Sequence, residues 1–148
     1  MNEISDIAHV IELAVAPVFL LAGIGSLLGV VTTRLARIID RARLLEERAP
    51  TISDDGEAER IRTELVSLDQ RMHIAQRSVL LFSIAALLVC LVIAAMFIAN
   101  FIAAPAGGFV AVIFIAAMIA MAGGLLLFLR EIQLGARALR VRADLLPK

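Results

Sequence analysis

The chain has 148 residues, 61% of them apolar and 19% charged, with a formal net charge of zero. Soluble domains run about 45–50% apolar and about 25% charged, so a disordered chain is excluded, and the balanced charge gives no reason to expect a nucleic-acid partner. A lone cysteine, Cys90, excludes a disulfide scaffold.

The first nine residues carry Glu3 and Asp6 and no basic residue. Residues 10–33 then hold a single charge, Glu12, while 78–104 and 106–129 hold none. Each stretch exceeds the roughly 20 residues that a helix needs to cross about 30 Å of hydrocarbon. Spanning backbone must satisfy its own polar groups, which makes all three helical. The expected fold is all-α: a three-span transmembrane helix bundle in the lipid bilayer, with coiled-coil-like helical extensions. A cleaved signal peptide is not expected, because the basic flank follows the first apolar stretch instead of preceding it.

The polar segments keep a helical pattern. After span one, Leu35, Ile38, Ala42 and Leu45 recur at spacings of three and four, and before span two Ile61, Leu65, Leu68, Met72, Ala75 and Val79 do the same. This spacing gives one apolar seam per helix. Between the two arms, Pro50 and Gly56 break the helix, and Asp54 followed by Glu57 fits a capping box that opens the next one. Segment 34–77 is therefore expected to form an antiparallel hairpin. Its nine arginines balance nine acidic residues, with spacings such as Arg37 to Asp40 and Arg60 to Glu64 that suit pairs along one helix face. That interleaving favours a solvated, salt-bridged coiled coil over a phosphate site, which wants clustered and unpaired arginines. After span three, residues 130–146 continue the seam through Ile132, Ala136, Leu139, Ala143 and Leu146.

All 14 basic residues lie in the hairpin or after span three. Positive residues are retained in the cytoplasm. The expected topology places the N-terminus and the uncharged turn 104–108 outside, and the hairpin and C-terminus inside.

Residues 11–25, with Ala16-Pro17-Val18-Phe19-Leu20 at their centre, and the block Arg34-Leu35-Ala36-Arg37-Ile38-Ile39-Asp40-Arg41-Ala42-Arg43 are distinctive. Over most of its length the chain resembles a bacterial family of short three-helix membrane proteins, domain-of-unknown-function family 2721. The resemblance implies a multi-pass protein of the bacterial inner membrane. It implies no activity, cofactor or catalytic residue.

Span one holds the unusual residues. Counting by sevens gives Ser5, Glu12, Phe19, Ser26, Thr33 and Asp40, with His9, Ala16, Gly23, Val30 and Arg37 four positions further on. Such a stripe drifts only about 20° per heptad. Polar residues within a span usually face a bundle interior or a water-filled path. One reading is a pore formed by several copies of span one: Glu12 an acidic ring at an outer mouth made more negative by Glu3 and Asp6, Phe19 an apolar constriction, Ser26 and Thr33 the inner lining, Arg37 and Asp40 the exit. Acidic rings draw cations. The other reading is helix packing alone. Ala22, Gly25 and Gly29 in span one, and Ala116, Ala120 and Gly124 in span three, have the small-residue spacing that lets helices approach closely.

Catalytic constellations are poor. His9 and His73 fall on opposite sides of the membrane in this topology. His9, Asp6 and Glu12 form at best a loose metal set, short of the three or four well-placed ligands that a transition-metal site needs. No phosphate loop, nucleophile–base pair or Cys-x-x-Cys occurs, so neither enzymatic activity nor a cofactor is expected. The leading expectation is a homo-oligomeric channel for small cations. The alternative is a non-conducting adaptor whose hairpin recruits a cytoplasmic protein.

Overall fold

In the computed structural model the backbone is described over residues 2–51, 54–102 and 107–143, and the side chains over 11–50, 54–102 and 107–136. Three long α-helices account for nearly all of it: α1 (Asn2–Arg48), α2 (Asp55–Phe101) and α3 (Gly107–Ala143). No strand occurs among the described residues. The apolar stretches continue into the polar arms without a break, and α1 also runs unbroken through Pro17. At 1.5 Å per residue, α1 and α2 are each about 70 Å long.

The break between α1 and α2 falls at Pro50, whereas Gly56, expected to break the helix as well, is already the second residue of α2. A short 3-10 turn, Ala49–Thr51, ends the first arm. Asp54 caps the second: its Oδ1 accepts from the Gly56 amide at 3.4 Å and its carbonyl from the Ala58 amide at 3.0 Å. The first contact satisfies an amide that a helix start leaves without a partner, and the second is the first bond of the helix itself. The expected turn around 104–108 lies largely outside the described residues.

The chain divides into two compact units. The first comprises Met1–Gly29 and Leu80–Gly124, the second Val30–Val79 and Leu125–Lys148. Both take a stretch from each helix. In the first, Ile24, Phe82, Ala85, Val89, Val92 and Ala117 are buried, and the backbone of α3 comes close to α2: a Cβ on Gly124 would meet the Phe82 ring at 3.2 Å. In the second, Ile38, Leu45 and Leu68 form an apolar core with Ala42, Ile61, Leu65 and Met72 packed against it. These are the seam residues of the hairpin arms.

Burial repeats by sevens along each helix. On α1 the buried positions include Pro17, Ile24, Val31, Ile38 and Leu45; on α2 Leu68, Ala75, Phe82 and Val89; on α3 Ala117, Gly124 and Glu131. A strict seven-residue repeat is the signature of left-handed coiled packing. It also displaces the α3 seam from its expected place. Glu131 and Gly135 are buried, Ile132 is half-buried and Ala136 is exposed; Leu139, Ala143 and Leu146 lie outside the residues whose side chains are described.

Each helix contains a window apolar enough to cross a bilayer, yet only 22%, 22% and 11% of these windows are buried within the chain. Their large side chains point outward, as with Leu126 (68% exposed) and Ile119 (67%). An apolar surface of this extent requires lipid or other protein against it.

Gly124→Val places two methyl groups against Phe82 and is expected to destabilise the chain by about 1–3 kcal/mol. Ala116→Val, on the exposed face of the same helix, is expected to stay within about 0.5 kcal/mol of the parent. Unfolding titrations of both variants in mixed micelles measure the difference, and equal losses would contradict the seven-residue register of α3.

Candidate functional site

The heptad geometry fixes where the polar stripe of α1 faces. Phe19, Ser26, Thr33 and Asp40 each lie two residues after a buried position (17, 24, 31 and 38), and Glu12 lies two residues before buried Ala14. Two residues turn a helix by about 200°. The stripe therefore stands opposite the buried seam, and all five residues are exposed, Phe19 by 74%. The Ser26 hydroxyl donates to the Ala22 carbonyl one turn back, at 3.1 Å, which leaves its oxygen lone pairs available outward. Ala22, Gly25 and Gly29 are also exposed, and a Cβ built on either glycine meets nothing within 4 Å. In span three the packing falls on Ala117 and Gly124; Ala120 is half-buried and Ala116 exposed. The side chains of Glu3, Asp6 and His9 lie outside the described residues. No group of three or more metal-ligating side chains occurs among those described.

Arg37, four residues after Thr33, stands about 40° round the helix from it and is exposed as well. It lies one residue before buried Ile38, about 100° from the seam, and lines a cleft in the second unit with Arg34, Arg41, Arg71 and Glu131. Glu131 is the centre of this region. It is 1% exposed, and it joins all three helices. Arg71 of α2 donates to its Oε1 through Nη2 at 2.8 Å and Nε at 3.2 Å. Arg34 of α1 places Nε 3.2 Å from Oε2, within ion-pairing distance but off the hydrogen-bond direction, so Oε2 accepts no hydrogen bond. The Arg34 guanidinium also sits 5.7 Å from the centre of the Phe128 ring, a cation–π distance.

Gly135 makes room for this arrangement. A Cβ there would lie 2.8 Å from Arg71 Nη2. One helical turn beyond Glu131, glycine leaves the guanidinium its place, and any larger residue would require the end of the Arg71 side chain to shift.

Sequence reasoning did not single out Glu131. Two signals pointed to it: it is the one acid directly after the third apolar stretch, and it stands seven residues after Gly124 with Gly135 four further on. The hairpin pairs also differ from those expected along single helices. Glu64 is bound across the hairpin by Arg41, at 2.8 Å to Nη2 and 2.9 Å to Nε, because the two arms bring these side chains together at the shared apolar core.

Long helices with outward apolar faces, joined through a polar hairpin, define a multi-pass α-helical membrane protein. The chain belongs to the family described as protein of unknown function (DUF2721), whose model matches residues 14–141. No curated protein and no solved structure matches it.

Breaking a buried ion pair from one side strands a charge, at a cost of about 3–5 kcal/mol. Arg71→Met, which leaves the buried carboxylate with one imperfect partner, is expected to destabilise by that amount. Glu131→Gln is expected to cost less, about 1–3 kcal/mol, because the Arg34 and Arg71 side chains, 37% and 18% exposed, reach water. Chemical denaturation of the two variants in detergent gives the ranking, and the reverse order would show that the arginines, not the carboxylate, bear the desolvation.

Proposed function

We propose that this protein is the subunit of a homo-oligomeric channel for small cations, with α1 lining the path. The observation that carries the proposal is the outward polar stripe: Glu12, Ser26, Thr33 and Asp40 all face away from the chain's own seam. Polar and ionisable side chains at membrane depth seldom face lipid, and the neighbouring Gly25 and Gly29 leave space for another helix to come close. A path through a single chain finds little support, since the interior of the first unit is filled by Ile24, Phe82, Val89 and Val92. A symmetric ring of copies is the simplest arrangement that turns one outward stripe into a shared lining.

In this reading Glu12 forms the acidic mouth, Phe19 the apolar constriction that gates by dewetting, and Ser26 and Thr33 the polar wall. Asp40 stands at the exit, and Arg37 belongs instead to the cleft beside it. The concentration of basic residues in the hairpin and after span three orients the chain with its N-terminus outside and its hairpin in the cytoplasm of a bacterial inner membrane. The role is conduction, without a catalytic step.

A second reading has one observation of its own. Between the hairpin arms an open groove of about 310 Å³ has Ala42, Leu65, Val66 and Met72 as its apolar wall and Glu46 and Asp69 at its edge, with Val66 67% exposed. An apolar floor with an acidic rim suits a basic amphipathic helix, which is what an adaptor would bind.

Native mass spectrometry is expected to give four or more copies, and proteoliposomes to carry a cation flux that Glu12→Gln lowers about tenfold and Phe19→Ala raises. A persistent monomer in nanodiscs, or flux equal to that of empty vesicles, would remove the channel reading and leave the adaptor.

A further inference from the structure

The second unit gathers four arginines around one open cleft of about 290 Å³. Arg34, Arg37 and Arg41 come from successive turns of α1, and Arg71 faces them from α2. Ile38 and Leu68 form the floor. Like charges three and four residues apart on a helix repel one another, and here a fourth guanidinium is added from across the cleft. The acidic partners do not match this number. Glu131 is shared by Arg34 and Arg71, and Glu64 takes Arg41. Arg37 has no ion-pair partner among the described residues. Four guanidiniums thus answer to two carboxylates, a surplus of two positive charges.

We propose that this cleft is a binding site for a phosphate group. Guanidinium suits the ligand because its planar fork donates two parallel hydrogen bonds to phosphate oxygens and never loses its charge. A doubly charged phosphate matches the surplus, and a singly charged phosphodiester meets half of it. The buried Glu131 keeps Arg71 and Arg34 held at the base of the cleft, so that less ordering remains to be done when the anion arrives. Exposed Arg37 and half-buried Arg41 form the approach.

Two sources supply this chemistry. Arg34 directly follows the first apolar stretch and Glu131 stands two residues after the third, which puts these residues at the depth where lipid headgroups carry phosphate. Free phosphate enters the same opening from water. The proposal stands apart from the channel reading, which does not use this cleft.

The full-length protein, purified in a phosphate-free detergent, tests it through circular-dichroism melting at constant ionic strength. The probes are inorganic phosphate, short-chain phosphatidylglycerol, short-chain phosphatidylcholine and sodium chloride. Arg37→Gln removes an exposed charge outside the buried Glu131 pair, so the variant is expected to fold. Arg62→Gln removes an exposed hairpin arginine that does not line the cleft. Phosphate or phosphatidylglycerol is expected to raise the melting temperature of the parent and of Arg62→Gln. Arg37→Gln is expected to weaken the apparent affinity by about tenfold or more, the loss of one charge-assisted contact. A response to phosphate identifies a soluble anion as sufficient; a response to phosphatidylglycerol alone identifies a lipid headgroup. No shift beyond that of chloride or phosphatidylcholine, or equal weakening in Arg37→Gln and Arg62→Gln, would overturn the site.

Discussion

A carboxylate taken out of water must be answered by positive charge, and in this protein that demand falls on Glu131. Its two oxygens face arginines from two other helices, so one residue of α3 fixes the relative placement of Arg34 and Arg71 in the second unit. The apolar core of Ile38, Leu45 and Leu68 supplies adhesion between the hairpin arms but is tolerant of small slips, because aliphatic contacts have no direction. The hydrogen bonds from Arg71 do have direction. Bonds with direction favour one register over its neighbours, the role for which buried polar groups are best attested. Whatever Arg34, Arg37 and Arg41 do together depends on that register.

The seven-residue repeat does the complementary work along each helix. It assigns one face to the seam and, by simple rotation, a second face to the outside. On α2 and α3 the outside is apolar and suits hydrocarbon. On α1 it carries a carboxylate, hydroxyls and glycines, which suit another helix or water better than lipid. The same geometry that builds the chain's interior therefore leaves one helix unlike the others on its outer side.

Much of this was legible in the sequence. Apolar runs of more than 20 residues with at most one charge marked the three helices, Pro50 the break in the hairpin, Asp54 the cap, and the spacings of Ile38, Leu45 and Leu68 the packed faces of the arms. The small-residue stripes were visible too, but their facing was not: of Ala116, Ala120 and Gly124 only Gly124 is buried, and Gly25 and Gly29 are exposed. The charged cluster was harder to read. Pairing rules along a helix connect residues three or four apart, and Arg71 and Glu131 are 60 apart. Nothing local marks such a pair. Only the register of all three seams, taken together, brings Glu131 between Arg34 and Arg71, and it does so by placing an acid where Ala117 and Gly124 lead one to expect another small residue.

Gly135 shows how far this dependence reaches. It bears no charge and touches no ligand, yet the volume it leaves empty is filled by the guanidinium that neutralises Glu131. A single methyl group there would press on the Arg71 guanidinium and so bear on the Glu131 pair without changing any ionisable residue. A scan restricted to charged positions would pass over it, and a survey of substitutions ranked by hydrophobicity would class it as mild. Steric room at that position is part of the protein's charge balance.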